Sequence, residues 1–338
     1  MSVFPSKISL AQIPTPIHYL SRLSEEFDID LRVKRDDLTG AALGGNKVRK
    51  LEYLLADAQS KGCDAIITCG AVTSNHARAA AVAARQVGME AHLILAGEAP
   101  EFAHGNLQLD LLVGAGVEYI SRADYSNNID EILQEAAHRL RSQGKKPYVI
   151  PTGGSNSVGL LGYVEAVREM QTQCLEMKWK PDFVVCAVGS GGTYSGLFLG
   201  NSLFPITSHI LGVLVCGTVS QFCDKIKKDI SEACDQNNLA VPDLSAIELV
   251  DGYIGEGYAK TNASQLQLIR KVAGAEGMIL DPVYTGKTFA GLYGECLKGR
   301  IPKQANVLFI HTGGIFGLSS FSDEMKKVWP SMDYWSNN

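Results

Sequence analysis

FVVCAV (183–188), GSGGT (189–193) and YSGLFLGNSLF (194–204) follow one another without interruption. Six apolar residues with no polar alternation read as a strand buried on both faces, the pattern of a parallel sheet. The glycine-rich turn after it lets the chain reverse tightly, and the run from Tyr194 has the composition of a buried helix. One strand–glycine loop–helix unit is a βα unit, and the same punctuation recurs along the chain. Further strand candidates are Ala65–Cys69, Ala91–Leu95, Tyr148–Ile150, Ile210–Cys216, Met278–Leu280 and Val307–His311. Between them lie runs of helical periodicity, such as Val48, Leu51, Leu54, Leu55 and Ala58, and Ile129, Ile132, Leu133, Ala136 and Leu140. Repeated βα units predict an α/β fold with parallel sheets and helices on both faces. Gly44-Gly45, Gly70, Gly153-Gly154, Gly189–Gly192 and Gly313-Gly314 all sit at a strand end or a helix start. Ligands of open parallel sheets bind at such strand ends, where main-chain N–H groups and helix N-termini converge. Five loops of this kind predict a ligand held largely by backbone amides.

Composition narrows the function class. The chain has 338 residues, 46% of them hydrophobic and 20% charged, with a net charge of −5. This is a folded, soluble composition with material for about two domains. It lacks the basic surplus of a nucleic-acid binder, any apolar run long enough for a membrane span, and a secretory leader pattern. The eight cysteines are scattered, without a C-x-x-C pair or zinc-ligand spacing, so buried reduced thiols, no metal and a cytoplasmic location are expected.

Two nucleotide motifs fail on inspection. A G-x-G-x-x-G starting at Gly189 meets Tyr194 where the third glycine belongs, and a P-loop ending in Gly286-Lys287-Thr288 meets Asp281 where its first glycine belongs. What remains is a phosphate cup: Gly189, Ser190, Gly191, Gly192 and Thr193 can turn amides and a helix dipole toward one anion. Taken alone, the loop has a second, blander reading as a tight structural turn. Near the start, Asn46 can cap a helix whose first turn holds Lys47, with Lys50 on the same face. Cations at a helix N-terminus are unfavourable unless an anion is near. Lys47 is then either a solvated lysine or an imine-forming amine, and Lys50 a phosphate partner.

LGGNKVRKLE (43–52), GAVTSNHAR (70–78), DPVYTGKT (281–288) and HTGG (311–314), after Pro14-Thr15-Pro16, occur in an order that resembles the fold type II pyridoxal-phosphate enzymes. The likeness is to the D-cysteine desulfhydrase and 1-aminocyclopropane-1-carboxylate (ACC) deaminase family. It implies two open, twisted parallel-sheet α/β domains of the tryptophan synthase β-like kind. Residues 1–47 with 161–338 would form the large cofactor-binding domain, and residues 48–160 a small domain inserted in it. It further implies pyridoxal 5'-phosphate as cofactor, a small amino-acid substrate and a homodimer. Lys47 would carry the cofactor and act as base. Asn75, with Asn46 nearby, would meet the phenolic oxygen, and Lys50 with the 189–193 loop would hold the phosphate. Ser74, Asn75 and His76 would receive the substrate carboxylate, with Tyr258 and Tyr284 facing the substrate. Without the resemblance, Ser74 is a helix cap, His76 a structural histidine, and each tyrosine a half-buried packing residue.

Thr285 and Thr312 bear on the reaction. Deaminase-like members carry glutamate and leucine at these positions, whereas the threonines match the desulfhydrase pattern. A neutral hydroxyl near the pyridine nitrogen makes a shallower electron sink than a carboxylate. That suffices when a departing thiolate removes the electrons, less so for opening an unactivated ring. The expected activity is α,β-elimination of D-cysteine to pyruvate, hydrogen sulfide and ammonia. The alternatives are ACC deamination, L-cysteate sulfo-lysis, and a non-catalytic pyridoxal-phosphate carrier.

Overall fold

The computed structural model describes residues 4–207 and 209–329. Ten strands are present among them: β1 (Ile17–Tyr19), β2 (Asp30–Lys34), β3 (Ala65–Ala71), β4 (Glu90–Ala96), β5 (Gly116–Ile120), β6 (Pro147–Val149), β7 (Phe183–Val188), β8 (His209–Leu214), β9 (Glu248–Val250) and β10 (Asn306–Ile310). They form a six-stranded sheet of order β1-β2-β10-β7-β8-β9 and a four-stranded sheet of order β5-β4-β3-β6. Every pairing is parallel except β1 with β2, which is antiparallel.

The uninterrupted apolar run of β7 serves both faces of the large sheet. Val184, Cys186 and Val188 pack with the helices Leu161–Glu176 and Gly192–Leu203, while Phe183 and Val185 face Leu31, Val33 and Phe289 on the other side. The helix Lys47–Ser60 buries Val48, Leu51, Leu54, Leu55 and Ala58 completely, on the predicted stripe. The helix Arg122–Ser142 likewise buries Leu133, Ala136, Ala137 and Leu140.

One expected strand is absent. Met278–Leu280 is irregular, with Met278 and Leu280 buried and Ile279 exposed. The carbonyl of Ile279 accepts from His311 Nε2 at 2.9 Å, so this apolar run packs its side chains without joining a ladder. Four strands, β1, β2, β5 and β9, lay outside the predicted set.

The parallel order determines where the loops gather. The carboxyl ends of β2, β10 and β7, adjacent in the large sheet, lead into residues 35–46, 311–314 and 189–191. The carboxyl end of β3 leads through residues 72–73 to Ser74, the cap of the helix Asn75–Gln86. At Gly70 a Cβ would lie 2.3 Å from Ser74 Oγ, so only glycine lets the strand run this close to the cap.

Candidate active site

These strand ends enclose a cavity of about 670 Å³. Its wall includes Asn46 and Lys47, the Ser74–His76 turn, Gly189, Ser190, Gly191 and Thr193, and Tyr258, Tyr284 and Thr312. Twelve of the fifteen residues singled out in the sequence are thus brought together, and Lys50, Gly192 and Thr285 stand behind the wall.

Lys47 opens its helix but is not solvated in the ordinary way. Its ammonium donates to Asn46 Oδ1 at 2.9 Å and lies 5.8 Å from the centre of the Tyr284 ring. Desolvation pulls its pKa down to about 8, against the attraction of Asp281 and with a smaller push from Arg78. Asn46 does not cap the helix as expected. Its backbone is already helical, and its side chain instead donates to Thr193 Oγ1 at 2.8 Å, bridging the lysine to the glycine loop.

The 189–193 loop forms an open cup. Gly191 has φ of 86° and begins the helix Gly192–Leu203 with no side-chain cap, so the first main-chain N–H groups lack intrahelical partners. Ser155, which no sequence motif marked, braces this cup: its Oγ accepts from Gly192 N at 3.2 Å and lies 2.9 Å from Ser190 Oγ. Lys50 meets the cup only through that brace, donating to Ser155 Oγ at 3.1 Å and to Gly153 O at 3.2 Å. It is 1% exposed, with neutral acceptors only, and burial followed by the charges of Lys47 and Lys225 drives its pKa well below the usual value. A phosphate in the cup supplies the negative charge this buried cation lacks, so the residues fit pyridoxal phosphate.

Ser74 caps its helix as predicted, accepting from Ala77 N at 3.1 Å. The main-chain N–H groups of Asn75 and His76 in that first turn have no partner within the helix and suit a carboxylate. The His76 ring does not. Thr68 Oγ1 donates its proton to Ile150 O at 2.9 Å and therefore accepts from His76 Nε2 at 2.8 Å. This leaves a lone pair at buried, unpartnered Nδ1, and burial, then Lys47 and Lys50, hold the ring neutral. Tyr258 and Tyr284 meet hydroxyl to hydroxyl at 2.5 Å. Loss of solvation inside the cavity raises both, Tyr258 to about 12 although one side of it is exposed, so the pair stays protonated. The loop carrying Tyr258 is pinned by Lys287, whose ammonium donates to Ile254 O at 2.8 Å and Gly257 O at 2.7 Å. Thr285 is fully buried: its hydroxyl donates to Asp281 Oδ1 at 2.7 Å and accepts from Asp281 N at 2.7 Å.

A family profile described as pyridoxal-phosphate dependent enzyme matches residues 8–313. The chain belongs to that family. A Pyrococcus abyssi protein, provisionally named a 1-aminocyclopropane-1-carboxylate deaminase, is 43% identical over 328 residues, covering 97% of each chain. The bifunctional D-cysteine desulfhydrase/1-aminocyclopropane-1-carboxylate deaminase of Arabidopsis thaliana is 40% identical over 346 residues, covering 96% of this chain and 83% of its own. A crystal structure of an ACC deaminase homologue superposes with a TM-score of 0.86 at 42% identity, covering 96% of each chain. This pyridoxal-phosphate dependent enzyme is a lyase of the ACC deaminase/D-cysteine desulfhydrase group, and its fold is the fold type II α/β arrangement. Among the described residues no helix is long and apolar enough to cross a membrane.

The depressed Lys47 pKa has a kinetic signature. If Lys47 is the amine that captures the cofactor aldehyde, only its unprotonated form does so, and capture by cofactor-free protein should rise about tenfold per pH unit and level off above about pH 8. Stopped-flow absorbance across pH 6.5–9.5 measures this. A rate still climbing steeply at pH 9.5 would mean an unperturbed lysine.

Proposed function

We propose that this lyase eliminates hydrogen sulfide from D-cysteine. One molecule of D-cysteine and one of water give pyruvate, ammonia and hydrogen sulfide. The observation that carries this reading is the neutral deep wall. Thr312 contributes an uncharged hydroxyl, and the carboxylate of Asp281 is saturated by the Thr285 hydroxyl and by the main-chain N–H groups of Val283, Tyr284 and Thr285 at 2.8–3.0 Å.

Pyridoxal phosphate, when bound, withdraws the electron pair released at Cα. The protein's own groups do the rest. Asn75 and His76 bind the substrate carboxylate through main-chain N–H groups at the helix N-terminus, with Ser74 holding that turn in shape. Lys47, with its pKa near 8, takes the Cα proton onto Nζ at neutral pH and can release it again. The Tyr258–Tyr284 pair, kept protonated by desolvation in the cavity, donates a hydrogen bond toward the departing sulfur. The side-chain amide of Asn75 orients the cofactor through its phenolic oxygen, and the Gly189–Thr193 cup, with Lys50 behind Ser155, holds the phosphate. The competing reading, ACC deamination, draws on the name of the Pyrococcus abyssi relative.

A substrate panel on the cofactor-loaded enzyme decides between them. D-cysteine, L-cysteine, L-cysteate and ACC are compared, with sulfide, sulfite, ammonia and 2-oxoacid measured. The expected kcat/KM for D-cysteine exceeds that for ACC at least ~10-fold, corresponding to about 1.4 kcal/mol of transition-state preference. The reverse ranking refutes the proposal.

A further inference from the structure

Arg78, Asn106 and Asn75 form a chain of side chains that admits one polarity. Arg78 Nε lies 3.2 Å from Asn106 Oδ1, Asn106 Nδ2 lies 2.9 Å from Asn75 Oδ1, and the same Nδ2 donates to Thr73 O at 2.8 Å. Arginine has donors and no acceptor, so the Asn106 atom facing it is the oxygen. Burial lowers Arg78 to about 10, which leaves it protonated at neutral pH. The Thr73 carbonyl can only accept, which independently turns the Asn106 nitrogen toward Thr73 and Asn75. Asn75 must then offer its oxygen to Asn106, and its own NH2 group is left for the cavity that Asn75 lines.

We propose that Arg78 and Asn106 are positioning residues that lock Asn75 as a hydrogen-bond donor toward the cofactor ring. This rests on the reading that Asn75 meets the phenolic oxygen. That oxygen carries negative charge, so a donated N–H stabilises it, and a flipped amide would oppose it with a second oxygen. The same guanidinium donates to Ala42 O and, at 3.1 Å, to Gly44 O, the turn that delivers Lys47, and it lies 4.9 Å from the Phe316 ring. One buried group thereby ties the Asn75 helix to the loop carrying the cofactor-bearing lysine. Asn106 is 1% exposed and comes from the helix Gly105–Leu112, thirty-one residues beyond Asn75.

The test compares Asn106→Asp with Asn106→Leu, and Asn75→Ala as the control. Aspartate has nearly the shape of asparagine and still accepts from Arg78, but it has no N–H for Asn75. In Asn106→Asp, Asn75 must then rotate and give its NH2 to the introduced carboxylate, turning its own oxygen to the cavity. Leucine merely removes the partner. The Kd for pyridoxal phosphate should therefore rise about tenfold or more in Asn106→Asp and less in Asn106→Leu, the worth of one hydrogen bond to a charged group. The visible absorption maximum of the bound cofactor should move in Asn106→Asp as it does in Asn75→Ala; both variants at 106 lose the bond to Thr73 O, so their affinities are compared alongside their cofactor-free melting temperatures. A packing residue gives the opposite order, with leucine worse than aspartate and losses tracking the melting temperature, and that result overturns the proposal. If Asn75→Ala itself leaves affinity and absorption unchanged, the underlying reading of Asn75 fails, and the proposal with it.

Discussion

Lys47→Ala is expected to lower D-cysteine turnover by about 10³-fold or more while leaving a folded protein that still binds pyridoxal phosphate. On the proposed reading the variant loses both the amine that would carry the cofactor and the base at Cα, which sets the magnitude. Retention is expected because the 189–193 cup, proposed to hold the phosphate, is braced by Ser155 and Lys50 through hydrogen bonds that do not include Lys47. Borohydride treatment of the unaltered enzyme should fix the cofactor to one lysine, found by mass mapping in the peptide containing Lys47. Labelling of Lys50 or Lys287 would contradict the site as described. Both are already committed to protein acceptors, Lys50 to Gly153 and Ser155 and Lys287 to Ile254 and Gly257, whereas Lys47 faces the cavity.

Gly191→Val should weaken pyridoxal phosphate binding by roughly 10- to 100-fold. Space is not the obstacle, because a Cβ at Gly191 would meet nothing closer than Ile226 Cγ1 at 3.5 Å. Conformation is. At φ of 86° a β-branched residue is strained, by about 1–3 kcal/mol, and the loop escapes by turning its φ negative. The escape preserves the fold but swings the following amides away from a common centre. Melting curves with and without cofactor separate the two effects, since a bound ligand raises apparent stability by mass action. The variant should lose the cofactor-dependent increment while its cofactor-free melting temperature changes little. An equal fall under both conditions would make the loop a structural turn and nothing more.

The sequence was legible where apolar pattern and glycine punctuation coincide, as in β3, β4, β7 and β10 with the loops that follow them. It was less so where a strand is short or mixed. β2, DLRVK, alternates charge with hydrophobicity because Arg32 and Lys34 pair with Asp30 and Glu169, and β5, GVEYI, is a half-exposed edge. In the other direction, Met278–Leu280 is apolar enough for a strand, but the Ile279 carbonyl is taken by the His311 side chain and the run joins no ladder. At the site, residue types at helical spacing were readable: Ser74 as cap, Lys47 and Lys50 on one face. Partners remote in sequence were not. Nothing local to Asn46 indicates that its amide reaches Thr193 instead of its own helix, and nothing near Asn75 points to Asn106. Thr285 could be read as an electronic position, yet its bond to Asp281 depends on the turn of DPVYT.

The strand order has a consequence for how this enzyme comes into being. β10, the last strand among the described residues, lies in the interior of the large sheet, between β2 and β7. While a ribosome is still making the chain, the place between β2 and β7 stays unfilled until residues 306–310 have emerged. The turn before Lys47 waits on the same event, because Asn46 N donates to Thr312 O at 3.2 Å, and a Cβ at Gly45 would lie 2.7 Å from that oxygen. Pairings this distant in sequence form late. The pocket around Lys47 is therefore completed late, since the turn that presents this lysine and the centre of the large sheet both wait on residues 306–312.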